Sequence, residues 1–172
     1  MKIAYFTENY KRGGVNTFLK NLTSKKKTTD IIYLIYNKDN PGIDYIKKKS
    51  VNIRYLDYSI FSWDKIFNKR MSHISLLICK TIYSILFPIT FCYQIFRLSV
   101  FFKKNNFDKL MIINGGYPGG DICIAATIAW VKINPKNKPW INFHNFALKK
   151  YKFFLLDFYK NQIDKIISKS IM

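Results

Sequence analysis

Short, continuous apolar runs recur along this chain, each broken off by glycine, asparagine or a charge cluster and followed by helical periodicity. Ile3 to Thr7 is the first such run. Beyond Gly13 and Gly14, the residues Val15, Phe18, Leu19 and Leu22 fall at i, i+3, i+4 and i+7, the spacing that lines one face of a helix. Lysines from Lys25 onward close that helix, and "IIYLIY" at Ile31 to Tyr36 reads as a second strand. An uninterrupted apolar run suits a strand buried on both faces. Asn40-Pro41-Gly42 marks a turn, "GIDYIKKK" a short helix, and Val51 to Leu56 a third strand.

The same rhythm returns near the other end. "DKLMIIN" at Asp108 to Asn114 predicts a fourth strand, followed by "GGYPGGD" and a helix in which Ile122, Ala125, Ala126, Ala129 and Ile133 share a face, with Asp121 as its N-cap. "PWINFHN" at Pro139 to Asn145 predicts a fifth strand. Tyr151, Phe154, Leu155 and Phe158 then repeat at helical spacing, and "DKIISKS" at Asp164 to Ser170 reads as a sixth strand. Strands alternating with helices predict an α/β domain over residues 1–172, with a parallel sheet of about six strands covered by helices on both faces.

Phe61 to Phe102 breaks the rhythm, with no strand punctuation between the third and fourth strands. We read 61–104 as a long aromatic and basic helical insertion. Thr81 to Phe96 holds sixteen residues without a charge. That run is shorter than the ~20 apolar residues of a bilayer span and has Pro88 in its middle, so it is not read as a transmembrane helix. Lys65, Lys69 and Arg70 precede it, Lys103 and Lys104 follow it, and Trp63, Tyr83 and Tyr93 add amphipathic rings. Two readings fit this composition. An interfacial helix pair would set apolar faces against an anionic membrane surface; alternatively Ile74, Leu77, Ile78, Ile82 and Ile85 simply cover the sheet.

Charge and cysteine content narrow the context. The 172 residues carry a formal net charge of +19, from 25 lysines and four arginines against nine aspartates and one glutamate. Abundant Asn, Ile, Tyr and Phe accompany the lysines, a bias expected of AT-rich coding sequence. The basic balance still favours anionic surfaces or substrates. No RNP, helix-turn-helix or zinc pattern appears, so no specific nucleic-acid partner is expected. Cys79, Cys92 and Cys123 are odd in number and far apart, which fits a reducing cytoplasm better than a disulfide framework. The opening strand follows directly on Lys2, without the longer apolar segment and small-residue cleavage site of a signal peptide, so nothing here indicates export.

The glycines carry the functional signal. In a parallel α/β sheet, ligands collect at the carboxyl ends of the strands, where a glycine loop opening a helix lets backbone N–H groups approach a phosphate or sugar. Gly13-Gly14, and Gly115-Gly116 with Gly119-Gly120, both follow strands. Neither loop is a G-x-G-x-x-G nor a P-loop, so dinucleotide and Walker-type binding lose their fingerprints. A plain strand-to-helix turn explains such glycines equally well. His144, ending the fifth strand as "FHN", is expected on the same edge, where its imidazole can bond a hydroxyl or phosphate or be satisfied by backbone. His73 is read as a surface residue.

On these residues the chain resembles family-4-like glycosyltransferases of the GT-B type. "MKIAYFTENYKRGGVNTFLKNL" looks like the opening strand, glycine pair and first helix of their N-terminal domain, and "IINGGYPGGD" and "PWINFHN" look like its fourth-strand loop and fifth-strand histidine. The resemblance implies one Rossmann-like half of a GT-B fold. It implies that Gly13 and Gly14 approach the donor phosphate or acceptor, that His144, with Asn145 beside it, contacts the transferred sugar, and that Gly115, Gly116, Gly119 and Gly120 shape the acceptor side.

That family binds its nucleotide sugar mainly in a second α/β domain, through two glutamates eight positions apart, and this chain has only Glu8. The chain is therefore expected to be an acceptor-side domain, truncated or one half of a two-chain enzyme, the alternative being a non-enzymatic basic Rossmann-like module that binds anionic lipid or nucleic acid. As an acceptor-side domain it would be inactive alone, with a second donor-binding chain as partner and a glycan or lipid-linked acceptor, in the cytoplasm or at the inner face of the cytoplasmic membrane. No cofactor is expected beyond the nucleotide sugar as co-substrate. No two aspartates form D-x-D, so no metal ligand set is visible. Glu8 and Asp121 are the carboxylates expected nearest the cleft, and no catalytic base is assigned.

Overall fold

The computed structural model describes residues 1–9, 13–24, 29–47, 53–59, 72–114, 120–143 and 154–168. Their elements, in chain order, are β1 (Lys2–Phe6), α1 (Gly14–Ser24), β2 (Ile31–Asn37), α2 (Ile43–Lys47), β3 (Ile53–Tyr58), α3 (His73–Asn105), β4 (Lys109–Asn114), α4 (Asp121–Ile133), β5 (Trp140–Phe143) and α5 (Phe154–Ser168). The five strands form one parallel sheet in the order β3-β2-β1-β4-β5, a Rossmann-like arrangement.

Alternation along each strand sorts the core into two layers, because successive side chains leave opposite faces of a sheet. Ile3 and Tyr5 of β1, with Ile32, Leu34 and Tyr36 of β2, pack beneath Val15 and Leu19 of α1 and Ile43 and Ile46 of α2. Ala4, Phe6, Ile35, Leu110 and Ile112 meet α3, α4 and α5 on the other face. That second layer is aromatic: the buried Trp130 of α4 packs edge-on to Phe102 of α3 at 5.7 Å, and Phe102 meets Phe6 at 6.2 Å. Of the helical face read from Ile122, Ala125, Ala126, Ala129 and Ile133, the first four are buried and Ile133 partly so, the small side chains allowing α4 close to the sheet.

The sheet departs from expectation at its end. Residues 164–168, read as the start of a sixth strand, belong to helix α5. "DKIIS" looked like a strand because Ile166 and Ile167 are adjacent, but only Ile167 is buried, one turn beyond the buried Ile163; Ile166 faces out. The i, i+4 pair outweighs local β-propensity once a helix is already running.

The insertion departs from one of its two readings, the one in which its isoleucines cover the sheet. Within the described residues it is a single continuous helix rather than a pair, capped at its start by the Ser72 hydroxyl, which accepts from the Ser75 N–H at 3.2 Å. It runs through Pro88. Tyr83, Phe87, Phe91, Leu98 and Phe102 form its buried face, whereas Ile74, Leu77, Ile78, Ile82 and Ile85, expected to cover the sheet, are all exposed. By length and composition α3 is apolar enough to cross a membrane, with a mean hydropathy of 1.8 over its most apolar window. Trp63, Lys65, Lys69 and Arg70 lie outside the described residues.

Candidate functional site

The order β3-β2-β1-β4-β5 reverses direction between β1 and β4: α1 and α2 cover one face of the sheet, α3 and α4 the other. Loops leaving the carboxyl ends of these two strands part there, which is where open α/β sheets hold ligands. Thr7, Glu8 and Asn9 leave β1 at this point, Gly13 and Gly14 open α1, and Gly120 and Asp121 open α4.

The α1 side rests on amides. Buried Asn16 accepts at Oδ1 from the Asn9 side chain at 2.8 Å and from the Gly13 N–H at 3.3 Å, and donates from Nδ2 to Asn40 Oδ1 at 3.2 Å. Asn40 Oδ1 also takes the Gly42 N–H at 2.9 Å, and Asn40 Nδ2 has no hydrogen-bond partner. Asn37, also buried, donates to the Glu8 carbonyl at 3.4 Å. These bonds fix the β1–α1 and β2–α2 connections to each other before any ligand arrives. Gly42 is obligatory for this contact, since a Cβ there would lie 2.3 Å from Asn16 Nδ2.

Gly13 and Gly14 are different. Both are exposed, neither has a positive φ, and a Cβ on either would find no atom within 4 Å. Among the described residues, neither backbone conformation nor packing requires glycine at these two positions. What they leave, among those residues, is exposed backbone with open space around both Cβ positions at the start of α1.

The α4 side is closed by the chain itself. Glu8 Oε2 accepts from the N–H groups of Ile122 at 2.7 Å and Cys123 at 3.0 Å, so a carboxylate from β1 neutralises the positive end of α4. Asp121, expected to cap this helix, does not: Gly120 holds the cap position with φ 81°, a left-handed conformation that glycine adopts without strain. The Asp121 carboxylate instead accepts from the Tyr83 hydroxyl at 2.7 Å and the Lys160 ammonium at 3.0 Å, tying α4 to α3 and α5. The two carboxylates expected near the cleft are thus both engaged in holding helices. Burial, and then the Glu8 charge, push the Cys123 thiol well above its ordinary value, leaving it an inert core group.

Further along the same edge, Tyr58 ends β3 beneath the Arg97 guanidinium, 5.2 Å from its ring. Burial raises its phenol pKa, against the lowering effect of Arg97. A cavity of about 350 Å³ opens at the amino edge of the sheet, between the ends of α3 and α4, with Phe102, Lys103, Phe107 and Lys132 in its walls. Carbonyl ends of two helices face that region, which disfavours an anion.

Of the residues singled out from sequence, Gly13, Gly14 and Gly120 are brought to the switch point. Gly115, Gly116, Gly119, His144 and Asn145 lie outside the described residues. Sequence reasoning missed Asn9, Asn16, Asn37 and Asn40; their one signal was Asn40-Pro41-Gly42, read only as a turn. Among the described residues no group of three or more His, Cys, Asp or Glu could hold a metal ion. Compared with family models, curated proteins and solved structures, the chain matched none.

Proposed function

We propose that this chain is the acceptor-side domain of a GT-B-type glycosyltransferase, working with a donor-binding α/β domain to move a sugar from a nucleotide sugar to a glycan or lipid-linked acceptor. The observation that carries the reading is the Gly13-Gly14 opening of α1: bare, exposed backbone beside the β1/β4 switch point, held from below by Asn16 and Asn40. The order of motifs along the chain supports it, with a second glycine loop after β4 and "FHN" after β5. Gly13 and Gly14 would take the acceptor or donor phosphate, His144 the transferred sugar, and Gly115 to Gly120 the acceptor's flank. The nucleotide would be held by the other domain, since this chain offers no second glutamate.

The test is ligand-observed NMR with a panel of oligosaccharides and a lipid-phosphate-linked disaccharide, on the parent chain and Gly14→Trp. The reading expects saccharide binding that falls about tenfold or more in the variant, a loss of ~1.4 kcal/mol or more, with unchanged unfolding. It also expects negligible nucleotide-sugar turnover by the chain alone. Turnover at ordinary enzymatic rates would contradict the division of labour. Absent saccharide binding together with tight, steeply salt-dependent RNA binding would replace it with a non-enzymatic basic module.

A further inference from the structure

Helix α3 is apolar on both of its sides, yet only one of them is covered. Its inner face packs on α4 and the sheet, while Ile74 (74% exposed), Ile85 (62%), Ile89 (68%) and Phe96 (65%) head an outward stripe that runs on to Val100. At 1.5 Å per residue this stripe extends about 40 Å. A helix that is apolar all round belongs in a core or against lipid, and an exposed apolar surface of this length on a soluble protein marks an interaction site.

Charge selects the occupant. The 33 residues of α3 include no acidic side chain, and Lys80, Arg97, Lys103 and Lys104 are its charged groups. A second copy would bring together two chains of net charge +19, each with Lys103 and Lys104 at the end of its stripe, and like charges brought together at an interface repel. An anionic lipid surface meets both properties at once, taking the apolar stripe into the acyl boundary and Lys103 and Lys104 at headgroup level. Spanning is disfavoured by the inner face, where Phe87, Phe91, Leu98 and Phe102 are already buried in the domain core. We propose that α3 docks this domain on an anionic membrane, lying in the plane of the interface with Ile74, Ile78, Ile85, Ile89 and Phe96 inserted. The proposal stands independently of the glycosyltransferase reading.

Cys92 provides a native probe, being exposed on α3 while Cys123 is buried; it lies five turns from Ile74 and so on the inserted side. With Cys79→Ser, an environment-sensitive fluorophore on Cys92 should shift to shorter wavelength with vesicles of phosphatidylcholine and phosphatidylglycerol, and not with phosphatidylcholine alone. The full chain should float with the mixed vesicles. Raising salt from ~0.1 to ~1 M, which contracts the Debye length from about 10 to about 3 Å, should weaken that binding several-fold. Ile85→Glu with Ile89→Glu should lower partitioning on the order of 100-fold, because two buried side chains are lost from the contact, while circular dichroism stays unchanged. Three outcomes overturn the proposal: equal binding to neutral and anionic vesicles, retention in the membrane after an alkaline carbonate wash, or a chain that ignores vesicles and is converted from dimer to monomer by the double substitution.

Discussion

Two helices begin at the same switch point and end their electrostatics differently. At α4 the first-turn N–H groups of Ile122 and Cys123 are taken by Glu8, a carboxylate arriving from the neighbouring strand. At α1 no acidic residue occupies the first turn, and Gly13 and Gly14 leave open space where side chains would stand. One helix end is internal structure; the other is presented outward. The difference separates two roles that glycine-rich loops share in sequence. Gly120 serves the backbone through its positive φ and Gly42 serves packing against Asn16, whereas Gly13 and Gly14 serve neither.

The sharpest way to break this contrast is through the support beneath α1. Gly42→Ala drives a methyl into the Asn16 amide, a group pinned by Asn9, Gly13 and Asn40. The side chain cannot swing away without leaving buried partners unsatisfied. A loss of about 3 kcal/mol in urea unfolding is expected, combining overpacking with broken buried hydrogen bonds. A change under ~0.5 kcal/mol, the usual range for surface substitutions, would mean the amide cluster does not hold the glycine loop.

Next in size is the filled end. Glu8→Ala strips two first-turn N–H groups of a charged acceptor and should cost about 2 kcal/mol. Glu8→Gln, which keeps an oxygen but loses the charge, should cost about half as much, the remainder being attraction to the helix dipole. Equal losses for the two variants would show that charge adds nothing and that the carboxylate acts only as a hydrogen-bond acceptor.

Much of the architecture was legible because its signals are local. Apolar runs such as "IIYLIY" and the i, i+3, i+4, i+7 pattern from Val15 to Leu22 need no tertiary knowledge to read, and the five described strands, the glycine-opened helices and the long insertion follow from them. What failed to show depends on contacts distant in sequence. Glu8 caps a helix more than a hundred residues away, and that partnership, not local preference, displaced Asp121 from the cap. The asparagines looked like compositional bias because their chemistry lies in where they meet: Asn9, Asn16 and Asn40 come from three different loops and helix starts. The outward stripe of α3 is a third case, since isoleucines that point to solvent have the same pattern as isoleucines that cover a sheet. Periodicity reports a face; only packing reports what that face meets.

The smallest effect at neutral pH falls on Cys123, and it tests the filled helix end from inside. Burial foremost, then repulsion from the Glu8 carboxylate, raise the thiol well above 9.0, while a backbone hydrogen bond at Glu8 works the other way. A thiol that keeps its proton longer in the folded chain makes the folded state the stronger proton binder above the ordinary value. Its contribution is therefore intact below about pH 9 and is lost as pH rises toward the folded value, at up to ~1.4 kcal/mol per pH unit. Unfolding of the parent and Cys123→Ala, compared across alkaline pH, should give a constant difference up to about pH 9 and a shrinking advantage for the parent above it. Lysine and tyrosine titrations are common to both proteins and cancel in that difference. Glu8→Gln removes the repulsion, lowers the folded thiol's pKa and so ends the decline at a lower pH. If the decline were instead the same with and without the Glu8 charge, the carboxylate would not be seated at the start of α4, and the contrast between a closed and an open helix end would go with it.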